Sequence, residues 1–175
     1  MNSIFNYLLN MFPYIIIAVP IFLIIRVIYL FKSKKRVDLN HEIILMIFIL
    51  FLVGLFSQAF IPDDGIHRTN FIPFKILYDT YDQVFNKNNI NYLIISFLGN
   101  IIMFIPIGLL IKSLWHISDK KAIIFGFSIS LFIEIVQLFL NRTSDIDDLL
   151  LNTIGVGLGI ILYNYYQKYK KKSSV

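Results

Sequence analysis

Five long apolar stretches run along the chain, separated by short polar or charged segments: Leu8–Phe31, Ile43–Ile61, Tyr92–Ile111, Ala122–Leu140 and Leu149–Tyr166. The first is interrupted by Pro13, Pro20 and Arg26. A helix needs about 20 mostly apolar residues to cross a bilayer, and all five meet or approach that length. The fifth is shorter and ends in tyrosines, which suit a membrane interface. Between the second and third stretches, Phe74, Leu77, Tyr78, Tyr81, Val84 and Phe85 recur at helical spacing, with Lys75, Asp79, Asp82, Gln83 and Asn86 on the other side. Pro73 stands where a first-turn proline would. The pattern predicts an all-α polytopic membrane protein: five transmembrane helices, plus an interfacial amphipathic helix over Pro73–Asn86 that could act as a lid. No internal repeat is visible, so residues 1–175 are read as a single integral membrane domain ending in a basic cytoplasmic tail, 167–175.

Charge orients the spans. If all five cross, the links Lys32–His41 and Lys112–Lys121 and the C-terminal tail share one side and hold 11 Lys and Arg residues. The opposite side holds 4, and Arg26 lies within a span. The excess of Lys and Arg on the cytoplasmic side of membrane proteins then places the N-terminus outside and the C-terminus inside. Arg26 is about five residues from the inner end, roughly 7 Å, and is expected to snorkel to the surface. The first apolar run has no basic residue before it and no small-residue cleavage pattern, so it reads as a retained span.

Composition supports the same class. Hydrophobic residues make up 57% of the chain and charged residues 15%, too few charges to coat a soluble domain of 175 residues. The net charge of +5 is a topology signal, and no nucleic-acid site accompanies it. The chain has no cysteine, which removes thiolate nucleophiles and zinc–thiolate sites. Phosphate-binding glycine loops, His-Glu-x-x-His and Gly-x-Ser-x-Gly are also missing.

The polar groups inside the spans gather toward the outer side. Ser57 and Gln58 lie near the outer end of the second span. Asn100 is about eight residues below the outer end of the third, roughly 12 Å, and Glu134 lies at nearly the same depth in the fourth. Ser130, Glu134, Gln137 and Asn141 share one helical face, as do Asn152, Gly155 and Gly159. The pair Gly155/Gly159 is a small-xxx-small pattern that lets helices approach closely. A polar group at membrane depth is costly unless it faces protein or water, so these residues outline a cleft between the last three spans, open to the outside. Asn100, Gln137 and Asn152 can equally serve as interhelical hydrogen-bond glue. Glu134 is the candidate acid or base, with Asn100, Gln137 or Arg142 as expected partners.

Arg142-Thr-Ser-Asp145-Ile-Asp147-Asp148 forms a turn into the fifth span. Ser144-x-x-Asp147 has the spacing of a capping box, and acids suit a helix N-terminus. Alternatively, Asp145, Asp147 and Asp148 are candidate oxygen ligands for a divalent cation, and Arg142 a candidate phosphate or carboxylate partner. No other cofactor is indicated.

Four segments in order carry a resemblance to a known family: Asn70-Phe-Ile-Pro73-Phe74, Asn100-Ile-Ile-Met-Phe-Ile-Pro106-Ile-Gly108, Ser130-Leu-Phe-Ile-Glu134-Ile-Val-Gln137, and Arg142-Thr-Ser-Asp145-Ile-Asp147-Asp148 continuing through Asn152 and Gly155 to Gly159. Together they resemble the VanZ-like family of small bacterial membrane proteins, with the pattern-carrying core at about 70–159. The resemblance implies a link to resistance against teicoplanin-type lipoglycopeptides in Gram-positive bacteria. It adds Asn70, Pro73 and Phe74 to Asn100, Glu134, Gln137, Arg142, Asp145, Asp147, Asp148 and Asn152 as candidate ligand contacts. The expected partners are the bilayer and a lipid-linked wall precursor or lipoglycopeptide. Two readings stay open: a module that recognises a lipophilic surface ligand, and an intramembrane enzyme using Glu134, with the aspartates holding cation or substrate.

Overall fold

The structure is a computed structural model that describes residues 2–33, 36–60, 69–140 and 144–173. Among the described residues, five helices are long and apolar enough to cross a membrane: Met11–Ser33, Leu39–Ser57, Ile90–Trp115, Asp119–Phe139 and Ile146–Ser173. The last is longer than its apolar core because its tyrosine- and lysine-rich end continues the helix. The chain divides into two compact units, residues 1–61 and 62–175.

The first unit pairs α1 (Asn2–Ser33) with α2 (Leu39–Phe60). The Asp38 carboxylate caps α2, accepting the backbone N–H of Asn40 at 3.0 Å and of His41 at 3.4 Å. Arg26 finds a partner on the neighbouring helix. Its guanidinium makes a two-pronged pair with Glu42 of α2, at 2.7 and 2.6 Å, and sits 5.0 Å from the Tyr29 ring centre. A planar fork meeting a carboxylate on the adjacent helix satisfies the charge without a long extension to water. Many apolar side chains among the described residues of this unit are exposed, including Ile17, Ile24, Ile25 and Phe31. Contiguous exposure on that scale is costly in water and ordinary in lipid.

In the second unit, a two-residue strand β1 (Thr69–Asn70) leads to α3 (Lys75–Tyr81), which widens into a π-helical turn over Asp82–Asn86. The helix therefore starts at Lys75, two residues later than the proline suggested. Phe74, the N-cap, has a left-handed backbone with φ 65°, which halts the helix there and leaves Pro73 outside it. Beyond the π turn, the Lys87 ammonium 2.6 Å from Asp82 and the Asn86 amide hold the Asp82 carboxyl below the usual carboxylate range. Lys87 is raised in return by the same pair.

A short α4 (Ile90–Tyr92) passes through a π-helical stretch, Leu93–Leu98, into α5 (Gly99–Trp115). The wide turn loosens the carbonyl ladder, and the Asn100 amide donates to the Ser96 carbonyl at 3.2 Å. α6 (Asp119–Phe139), a second two-residue strand β2 (Ser144–Asp145) and α7 (Ile146–Ser173) complete the unit.

Small residues bring α5, α6 and α7 together. A methyl group added at Gly155 would lie 2.2 Å from the Ile101 carbonyl oxygen, and one at Gly159 would lie 2.1 Å from that of Ile105. Gly108 answers from α5, where a methyl would meet the Val156 carbonyl at 2.1 Å. Gly126 of α6 gives the same room to the Val156 side chain. Backbone thus packs on backbone across α5 and α7, with Ile107, Ile111 and Val156 fully buried. Gly157 has nothing near its missing side chain and takes no part.

At the α5–α6 link, His116 closes α5 in a left-handed conformation, as a helix end requires. The Lys112 ammonium turns back to the Ile117 carbonyl at 2.6 Å and to Asp119 at 2.8 Å, and Asn164 of α7 donates to the same aspartate. This end of the bundle is tied by charge.

Candidate functional site

At the opposite end, β1 and β2 pair in parallel, Thr69 against Ser144 and Asn70 against Asp145. This small bridge joins segments about 75 residues apart in sequence and sets the register of everything around it.

Asp145 is the N-cap of α7. Its carboxylate accepts the Asp147 N–H at 2.9 Å and the Asn70 side-chain amide at 2.8 Å. The expected Ser144/Asp147 capping box does not form, because both members are engaged elsewhere. The Ser144 hydroxyl donates to Glu134 at 2.9 Å, and the Asp145 N–H donates to the same Glu134 oxygen at 3.0 Å. β2 thus delivers two donors, one side-chain hydroxyl and one backbone N–H, to a carboxylate one helix away. Glu134 is 7% exposed. The amide of Asn100, one of its expected partners, donates to Asp148 of α7 and to the Ser96 carbonyl.

Asp147 is 1% exposed and takes backbone donors from α3. It accepts the N–H of Phe74 and, at 2.8 Å, that of Ile76. The first turn of any helix has N–H groups without carbonyl partners. α3 has no side-chain cap of its own, so Asp147 supplies the cap from another helix. This contact also holds Phe74 in its unfavourable left-handed backbone. The Phe74 ring points away and is 65% exposed, so its contribution to the cluster is its main chain. Deeper in the unit, the Asn152 amide donates to Ser130 at 2.9 Å, and its carbonyl oxygen is buried without a hydrogen-bond partner.

Of the residues singled out from sequence, Asn70, the Phe74 backbone, Asn100, Glu134, Asp145, Asp147, Asp148 and Asn152 come together in or just below one cluster. Pro73 lies in the turn before α3. Gln137 is half-buried on α6 and makes no side-chain hydrogen bond among the described residues. Asn141, Arg142 and the Gln58 side chain fall outside the described residues. Two contributors had no sequence signal: Ser144 as a donor to Glu134, and the Ile76 N–H, which as a main-chain group is invisible in residue identities.

Among the described residues, no Lys or Arg pairs with Asp145, Asp147 or Asp148, and neutral amides and backbone N–H groups answer them instead. The positive end of the α7 dipole further favours three acids there. Among the same residues, no group of three or more His, Asp or Glu side chains is disposed to hold a metal ion. The aspartates diverge, one to β1, one to α3 and one to α5.

The chain matches the VanZ/LLP1 family over residues 15–167 and belongs to that family. It is a multi-pass membrane protein. No curated protein and no solved structure matches it.

Proposed function

We propose that this VanZ-family protein recognises a lipophilic or lipid-linked ligand of the cell surface, at the end of the bundle built by β1, β2 and the head of α7. The observation that carries the reading is the cluster of four carboxylates there, three of them buried or half-buried against neutral donors drawn from α3, α5 and β1. A packed bundle does not need that arrangement: acids placed inside a membrane protein are costly and mark sites of function. In the orientation set by the Lys and Arg distribution, N-terminus outside and C-terminus inside, the cluster faces the outer surface. The exposed row Leu77, Tyr78, Tyr81 and Phe85 of α3 and its π turn then lies in the outer interface. The ligand class proposed is a lipid-linked wall precursor or the acyl-bearing face of a lipoglycopeptide, which links the protein to teicoplanin tolerance.

The rival is an intramembrane enzyme with Glu134 as acid or base. We favour recognition, because Asp147 is occupied in capping α3 and the Ser144 hydroxyl beside Glu134 is itself buried at 5% exposure. One strain set separates the two. Deleting the gene should lower tolerance to lipid-tailed glycopeptides more than to tailless ones; equal or absent effects refute the proposal. Glu134→Gln keeps a carbonyl oxygen able to accept from Ser144 and Asp145, so tolerance should survive, whereas Glu134→Leu should abolish it. Loss of tolerance at normal protein abundance in Glu134→Gln alone favours the enzyme, since general acid–base catalysis contributes about 10²–10⁴-fold.

A further inference from the structure

Beside the cluster lies a cavity of about 160 Å³. Leu131, Ile135 and Leu138, spaced along a single face of α6, line it together with Ile146 and Leu149 of α7 and Phe71. Its floor reaches Glu134, Ser144 and Asp145. Leu131, Ile135 and Leu138 are each more than a third exposed, so the cavity is a groove open sideways along a membrane span.

Water filling such a groove would find few hydrogen-bond partners, and an empty groove forgoes dispersion contacts along its walls. A hydrocarbon chain suits it. The groove is also joined to the cluster. Phe71 follows Asn70, whose amide holds Asp145, so a chain under Phe71 touches the segment that carries one of the carboxylate contacts. At that end stands Asp145, half-buried, supplied only with an amide and a backbone N–H, and with no ion-pair partner among the described residues. A cationic head complements it and a phosphate does not.

We propose that this groove binds the chain of a single-chain cationic amphiphile entering sideways from the bilayer, with its amine at Asp145. This rests on the ligand-recognition reading above and narrows it: of the two ligand classes named there, it favours the acyl-bearing one over a phosphate-linked lipid.

The test uses the full chain in phosphatidylcholine nanodiscs. It compares a photoreactive alkylamine with the alkyl phosphate of the same chain, mapping the adducts by mass spectrometry. The amine should label the stretch 131–149, and the phosphate should label it far less. Ile135→Trp fills the groove and should lower amine labelling about tenfold, equivalent to about two methylene groups kept out. Should that variant fail to fold, Leu138→Phe makes the same test with a smaller addition. Asp145→Asn, which retains a good helix cap, should shrink the difference between amine and phosphate. Equal labelling by the phosphate, adducts away from both Phe71 and 131–149, or labelling unchanged by groove filling at unaltered melting temperature overturns the proposal. If labelling fails while Glu134→Leu still abolishes tolerance, the groove assignment falls and the recognition reading stands. If labelling holds while gene deletion leaves tolerance unchanged, the reverse follows.

Discussion

Replacing Gly159 with alanine tests one of the two tightest glycine contacts among the described residues. The added methyl would lie 2.1 Å from the Ile105 carbonyl oxygen, 3.0 Å from the Leu109 nitrogen and 3.1 Å from the Gly108 α-carbon. All three are backbone atoms, so no side-chain rotation relieves the clash. α5 and α7 must separate by about 1 Å, and a gap of 0.5–1 Å already forfeits about a quarter to a half of each dispersion contact along the seam. Overpacking of this kind costs about 1–3 kcal/mol. Alanine recovers about 0.5–1 kcal/mol from reduced backbone freedom, so a net loss remains. Gly157→Ala, two residues away, makes the same chemical change where nothing lies within 4 Å, and should be neutral or slightly stabilising. Both variants, purified in detergent, can be followed by thermal unfolding with size-exclusion readout. Gly159→Ala should melt clearly below the wild type, and Gly157→Ala at or above it. Equal melting of the two variants would refute the claim that backbone contact holds α5 to α7.

Other consequences follow from individual contacts. Asp147→Asn leaves one carbonyl oxygen for the two N–H groups of Phe74 and Ile76, and losing a charge-assisted bond costs about 1.5–3 kcal/mol, so α3 should become cleavable by added protease while the rest of the bundle resists; unchanged protection of α3 would argue against capping from α7. Arg26→Met or Glu42→Met alone strands the other charge between α1 and α2 and should lower the melting temperature, whereas the double replacement should restore most of it, a recovery whose absence would contradict a paired charge. The chain has no native cysteine, so single cysteines report topology cleanly: an impermeant reagent applied from outside should label position 79 and miss position 35, and the reverse would overturn the proposed orientation.

The sequence carried the membrane-spanning helices, because each span is a local property: a run of apolar residues long enough for the bilayer, read without knowing any neighbour. It also located the helix seam, since Gly155 and Gly159 fall on one face whatever packs against them. Helix ends were less legible. Pro73 has the identity of a helix start, but the start is Lys75, because a carboxylate on another helix holds Phe74 in a conformation that local preference disfavours.

The site shows the same division. Asn100 and Glu134 stood out from sequence because polar groups at membrane depth are rare enough to be conspicuous, and Asp145, Asp147 and Asp148 because three acids crowd one turn. Their pairings did not, since side-chain identities state what a group can donate or accept and leave open which partner it meets. Arg26 met Glu42, Ser144 met Glu134 instead of capping its own helix, and Asn100 met Asp148. Each choice follows from the parallel bridge between Asn70 and Asp145 or from the spacing of adjacent helices. Those are long-range distances, set when the helices pack, and they have no counterpart in the local order of residues.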